Sequence, residues 1–90
     1  MIPSYTKRFE KDLKTMQKRG KNMDKLKEII TKLVNQQPLD IKHKDHKLIG
    51  NYANRRECHI EPDWLLIYKL TPQDNMIIFE RTGTHSDLFD

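Results

Sequence analysis

Five consecutive apolar residues, Trp64-Leu65-Leu66-Ile67-Tyr68, form the longest apolar run in the chain and constrain its fold more than any other feature. An apolar run without polar alternation predicts a strand covered on both faces. The residues that lead into it, Glu57-Cys58-His59-Ile60-Glu61-Pro62-Asp63, place a histidine and an aspartate at its mouth, on either side of a Glu61-Pro62 turn. A buried central strand with titratable groups at its leading edge organises the chain: the other elements either cover the strand or face that edge.

Upstream, Met1 to Tyr5 is a candidate edge strand, the only place in a sheet that tolerates Pro3. Ser4 or Thr6 can cap the helix that follows. Through Arg19, Phe9, Leu13 and Met16 share one helical face and Lys7, Lys11, Lys14 and Lys18 the opposite one. Gly20 is placed to end this helix in a left-handed conformation. Asn22 can cap a second helix with a wider stripe of Met23, Leu26, Ile29, Ile30, Leu33 and Val34, which Pro38 stops near Gln36. So short a link predicts a helical hairpin.

Residues 38–54 are polar and irregular, with a short extended piece expected around Leu48-Ile49. From Arg56 the period becomes two: Arg56, Cys58 and Ile60 fall on one side, Glu57 and His59 on the other. Thr71-Pro72-Gln73-Asp74-Asn75 is a turn by composition, Met76 to Thr82 a partner strand, and Gly83 its end. The pattern predicts an α+β fold, one domain over residues 1–90, with an N-terminal helical hairpin packed on a small antiparallel β-sheet.

Ninety residues with 36% hydrophobic and 33% charged side chains can hold one compact core. The net charge of +4 is unevenly spread: twelve Lys/Arg face six Asp/Glu from Met1 to Asp45, five face seven from His46 to Asp90. That surplus suggests a docking face for a polyanion, set apart from most of the histidines; a well-solvated pair of helices explains it equally. Cys58 is the only cysteine, so no intrachain disulfide forms. No apolar signal region or membrane-length span is present, and a cytoplasmic protein is expected.

Histidine is the usual proton carrier near neutrality, and four stand at 43, 46, 59 and 85. If the five-residue turn pairs Leu70 with Met76, Trp64 lies near Thr82, and Arg81 and His85 come to the same sheet end as His59 and Asp63. A bulge would change the face that Arg81 takes. His46 stands on the loop leading in, and Trp64 offers a stacking surface. Proton carriers, a carboxylate and a fixed cation suit phosphodiester transfer on RNA, in which the 2′-hydroxyl attacks, one group removes its proton, another protonates the 5′-oxygen and arginine steadies the phosphorane. Aromatic side chains hold unstacked bases.

Plainer readings stand beside each residue. A single strand histidine is more often a surface or hydrogen-bonded one. Trp64 and Phe89, taken singly, are more often packing residues. Arg81 can pair with Glu80 or Asp87. The histidine spacing matches no strong zinc signature and lacks a cysteine pair, so no metal or other cofactor is expected.

Three blocks change that balance: Lys44-Asp45-His46-Lys47-Leu48-Ile49-Gly50, Arg56-Glu57-Cys58-His59-Ile60-Glu61-Pro62-Asp63-Trp64, and Glu80-Arg81-Thr82-Gly83-Thr84-His85-Ser86-Asp87-Leu88-Phe89. In that order, with the helical hairpin before them, they resemble the YafQ branch of the RelE/ParE toxin superfamily. The resemblance implies a RelE-like microbial ribonuclease fold and the toxin half of a bacterial toxin–antitoxin pair that cuts mRNA in the ribosomal A site without metal. It implies a catalytic set of His46, His59, Asp63, Arg81 and His85, with Trp64 and Phe89 on the substrate. His85 is then the candidate general acid and His46 the candidate base. His59 and Asp63 complete the network, Arg81 stabilises the phosphorane, and Phe89 positions a base or closes the site. His43 has no counterpart and is read as surface.

Implied partners are the ribosome and mRNA, with Lys7, Lys11, Lys14 and Lys18 against ribosomal RNA, and a DinJ/RelB-like antitoxin. Operator DNA would be met only through the antitoxin complex. Two other functions are consistent with parts of the sequence: a non-catalytic module that binds RNA or antitoxin, and a ParE-like gyrase poison. The histidine set argues against the second, which has no need of proton carriers.

Overall fold

A computed structural model of the chain describes residues 1–52 and 54–89. Strand β1 (Ile2–Tyr5) is followed by helices α1 (Lys7–Lys18) and α2 (Met23–Val34). Then come β2 (His46–Lys47), β3 (Arg56–Glu61), β4 (Trp64–Thr71), β5 (Met76–Gly83) and the short helix α3 (His85–Phe89). The five strands form one sheet in the order β1-β5-β4-β3-β2, with β4 in the middle.

Both long helices start and stop on local chemistry. Thr6 caps α1: its hydroxyl accepts from the Phe9 N–H at 3.0 Å and donates to the Glu80 carbonyl at 3.0 Å, tying the helix start to β5. Gly20, at φ 79°, ends it, with Gly20 N–H to Gln17 O and Lys21 N–H to Met16 O closing the last turn. Asn22 caps α2 by accepting from the Asp24 N–H. The same termination recurs at Gln36, which takes φ 56° although it is not glycine.

β4 is covered on both faces, as the apolar run predicts. Its even residues Trp64, Leu66 and Tyr68 join Phe9, Met16, Leu26, Ile29, Leu33, Ile77 and Phe79 in the core under the helices. Leu65 and Ile67 point the other way, where Leu88 of α3 packs on them beside Leu48 and Tyr52. Tyr68 reaches past the core to donate to Asp45, which also receives Arg56. Cys58 is fully buried, and burial pushes its thiol up, out of use as a nucleophile.

Three expectations are corrected here. The sheet is mixed rather than antiparallel throughout, because β1 runs parallel to β5, Ile2 opposite Met76 through Tyr5 opposite Phe79. The first strand after the helices is His46–Lys47, two residues earlier than Leu48-Ile49, and Leu48 turns inward to pack. The β4–β5 register begins at Thr71 opposite Met76 and shifts again between Ile67 and Tyr68, where Glu80 is the extra residue, so Thr82 lies opposite Leu66. That bulge decides the face of Arg81. The pairing at Tyr68–Phe79, continued without it, would set Arg81 opposite Leu66, toward the helices. With it, Arg81 stands opposite Ile67 on the other side.

Candidate active site

The sheet face away from the helices carries the titratable residues. His46 on the edge strand β2 is in register with Glu57 on β3. His59 lies two residues further along β3 on the same side, just before a second bulge between His59 and Glu61. The Glu61–Trp64 turn places Asp63 at the sheet end, and Thr84 starts α3 there. Asp87 N–H donates to Thr84 Oγ1, and Thr84 N–H to Asp87 Oδ2, a reciprocal cap that fixes the first turn carrying His85. Arg19, at the far end of α1, grips Asp87 with two bonds of 2.6 and 3.0 Å and holds its carboxyl well below the usual carboxylate range. Gly83 must be glycine, since a Cβ there would stand 2.9 Å from that of Asp87.

The result is a row of rings. Centroids are 6.4 Å apart from His46 to His59, 5.7 Å from His59 to His85 and 6.5 Å from His85 to Phe89, whose edge meets Tyr52 at 5.5 Å. Each imidazole is oriented by its Nδ1. That of His46 lies 2.6 Å from the Lys44 carbonyl, which only accepts, so Nδ1 carries the proton. That of His85 lies 2.5 Å from Asp63 Oδ1, which also receives the His85 backbone N–H at 2.9 Å. These two bonds, the backbone one first, lower the pKa of Asp63 and keep it an acceptor. His46 and His85 therefore leave Nε2 for other chemistry.

His59 differs. Its Nδ1 faces the Pro62 carbonyl at 3.3 Å and its Nε2 faces Glu57 Oε1 at 3.1 Å, with the side chain only 14% exposed. Acceptors meet both nitrogens. Glu57, itself 5% exposed, also approaches His46 Nε2 at 3.8 Å and so sits between two rings of the row.

His46, His59, Asp63, His85 and Phe89 thus come together. Arg81 shares their face, but its guanidinium turns to Asp12 on α1, with Nε at 2.7 Å and Nη2 at 3.3 Å. It pairs with neither Glu80, which takes Arg55, nor Asp87, which takes Arg19. Trp64 does not belong to the site surface: it is fully buried under the helices, and its indole N–H is spent on Thr82 Oγ1 at 3.0 Å, so it has no face to offer a base. Lys7, Lys11, Lys14 and Lys18 are exposed on the side of α1 away from Phe9 and Met16, and none touches the site. His43 is not a bare surface residue, because it is half-buried and its Nδ1 bonds the His59 carbonyl at 2.6 Å.

Residue-by-residue reading missed Glu57, Asp12 and Tyr52. Glu57 had a signal, since it alternates in phase with His59. Among the described residues, no group of three or more His, Cys, Asp or Glu is arranged to hold a metal ion, and no helix is long and apolar enough to cross a membrane.

Known proteins share both sequence and architecture. The mRNA interferase toxin YafQ of Escherichia coli K12 is 51% identical over 86 residues, covering 94% of this chain and 91% of that one. The crystal structure of YafQ from E. coli BL21(DE3) superposes with a TM-score of 0.92 at 48% identity, over 98% of this chain and 97% of that one. YafQ in the E. coli DinJ–YafQ complex gives 0.88 at 49%, with the same coverage of both chains. The profile of the YafQ family, bacterial toxins of type II toxin–antitoxin systems, matches residues 1–90 from end to end, and the chain belongs to that family.

Proposed function

We propose that this chain is an mRNA interferase that cuts messenger RNA in the ribosomal A site by attack of the 2′-hydroxyl on the adjacent phosphate. One observation carries the mechanism: His46 and His85 are both oriented through Nδ1, and among the described residues neither has a hydrogen bond at Nε2, the Glu57 carboxylate standing 3.8 Å from that of His46. His46, backed by a neutral carbonyl, is suited to accept the 2′-hydroxyl proton. His85, backed by the ionised Asp63, is suited to carry a proton on Nε2 and pass it to the departing 5′-oxygen. The 2′-oxygen bonds to phosphorus as the 5′-oxygen leaves, giving a cyclic phosphate and a free 5′-hydroxyl.

His59, with the Pro62 carbonyl at Nδ1 and Glu57 at Nε2, has both ring nitrogens engaged and is suited to holding the Glu57 carboxylate in the row rather than to moving a proton. Arg81 supplies a fixed cation for the phosphorane. Phe89, 45% exposed and 6.5 Å from His85, is the aromatic surface available to a splayed base. The lysines of α1 face the other way, which suits contact with ribosomal RNA rather than with mRNA. By analogy with the E. coli complex, a DinJ-like antitoxin is the inhibitory partner. The site of action is the cytoplasm, where translating ribosomes are found.

Primer extension after addition of the protein to a translating extract tests this. Cuts are expected within translated codons and are lost with His85→Gln. Cuts at the same places in ribosome-free RNA would sink the ribosome dependence, and arrest without any cut would favour a non-catalytic binding module.

A further inference from the structure

Asp12 stands outside the row of rings, on α1, and the candidate chemistry leaves it unused. Its carboxylate is 15% exposed and takes three bonds from β5: Arg81 Nε at 2.7 Å, Arg81 Nη2 at 3.3 Å and the Thr82 N–H at 3.1 Å. The third has a topological cause. β1 stops opposite Phe79, so the edge of β5 beyond it lacks a strand partner, and Asp12 satisfies the donor left there. The other two bonds hold a flexible side chain by one edge. Arginine has five donors in a rigid fork, and a carboxylate on the Nε–Nη2 edge fixes the plane of the group while leaving Nη1 outside the pair.

We propose that Asp12 is a positioning residue for RNA cleavage, which clamps the Nε–Nη2 edge of Arg81 so that Nη1 is held ready for a non-bridging phosphate oxygen. The inference rests on the nuclease reading above and adds a residue to it. A purely structural role, capping the edge of β5, makes a different forecast. Asp12→Asn separates the two: Asp12 Oδ2 accepts from both the Thr82 N–H and Arg81 Nε, so an asparagine oxygen placed there keeps the cap, while the Nδ2, a donor, faces Nη2 and breaks the two-point grip that fixes the guanidinium plane.

The test compares wild type, Asp12→Asn, Arg81→Ala and the double variant in single-turnover cleavage of mRNA on programmed ribosomes. Thermal melts and the 15N resonance of Arg81 Nε accompany the rates. Positioning predicts that Asp12→Asn melts within a few degrees of wild type, binds ribosomes within about twofold, and cuts roughly ten- to a hundredfold more slowly. The double variant should be no slower than Arg81→Ala, and the Nε resonance should shift from its wild-type position toward that of a free arginine as the charged partner is lost. Wild-type cleavage rates in Asp12→Asn, or losses that multiply in the double variant, would overturn the role of Asp12 alone. If Asp12→Asn does not fold, Asp12→Glu replaces it, with the same requirement that its loss vanish in the Arg81→Ala background. A wild-type protein that cuts nothing would overturn the nuclease reading, and this inference with it.

Discussion

The two faces of the sheet are built to different rules, although β4 supplies both. Among the described residues, twelve buried side chains from α1, α2, β3, β4 and β5 close the helix side, and they are almost all apolar. The other side has three buried apolar ones, Leu65, Ile67 and Leu88, with Leu48 and Tyr52 at their margin, and beyond them the face is given to imidazoles and carboxylates. Burial of apolar area is the main source of stability, about 25 cal/mol per Å². Most of the stability therefore lies on one face and most of the candidate chemistry on the other. The thin second face tolerates charge because α3 and the loop carrying Leu48 and Tyr52 cover only part of it.

The largest expected effect tests that division from the helix side. Trp64→Ala removes a fully buried indole and the bond it donates to the Thr82 hydroxyl, so it should cost about 3–5 kcal/mol in urea unfolding. A loss near zero would mean that Trp64 belongs with the site after all. On the other face, His85→Ala should slow cleavage by roughly a hundredfold or more. Its melting point should stay within about 2 °C of wild type, as expected for a half-exposed side chain away from the core. Glu57→Gln should blur the comparison, because Glu57 is a buried carboxylate on the site face. Unfolding should cost about 1–3 kcal/mol and cleavage should fall as well, whereas a variant impaired in only one would place Glu57 on one side of the division.

Acid gives a smaller handle. Asp63 and Asp87 have folded pKa values below their unfolded ones, the first through His85 and the second through Arg19. Their contribution is present above the unfolded value, about 3.9, and is lost as pH falls through the folded values. Melting curves from pH 7 downward should therefore decline below about pH 4, less steeply in Asp87→Asn than in wild type. Smallest of all, replacing Lys7, Lys11, Lys14 and Lys18 with glutamine should move stability by less than about 0.5 kcal/mol. If those lysines dock on ribosomal RNA, the salt dependence of cleavage should flatten; an unchanged slope would leave them as a solvated helix face.

Local signals were legible in the sequence. Thr6, Gly20 and Asn22 mark their helix ends where the chemistry of capping requires, and the run from Trp64 to Tyr68 is the central strand. The meeting of His59, Asp63 and His85 followed from counting along two antiparallel strands. What stayed hidden depends on distant partners. An edge strand carries no mark of whether its neighbour runs parallel, so the β1–β5 pairing was out of reach. The β4–β5 register was misjudged by one at the turn, where Thr71 and not Leu70 meets Met76, and by one more at Glu80, whose bulge inserts a residue without a composition signal, although the sheet end shared by Arg81 was not misjudged. The ambiguity of Trp64 needed burial to resolve it, because indole suits a core and a base equally well. Asp12 was invisible for the same reason: nothing local says that a flanking aspartate on a helix meets an arginine 69 residues later.

The pairing of β1 with β5 also has a consequence in time. During synthesis, Ile2 to Tyr5 leaves the ribosome long before Met76 to Phe79, and until β5 arrives β1 has no strand to lie against. The Thr6 hydroxyl lacks its carbonyl on Glu80 and Asp12 lacks its arginine until the same moment. Helices α1 and α2 can form early from local contacts, but the sheet they cover closes only with the last strand, and contacts so distant in sequence form slowly. The nascent product therefore cannot hold the candidate site until β5 and α3 have emerged. Assembly order itself delays activity, which gives an antitoxin made alongside it time to be ready.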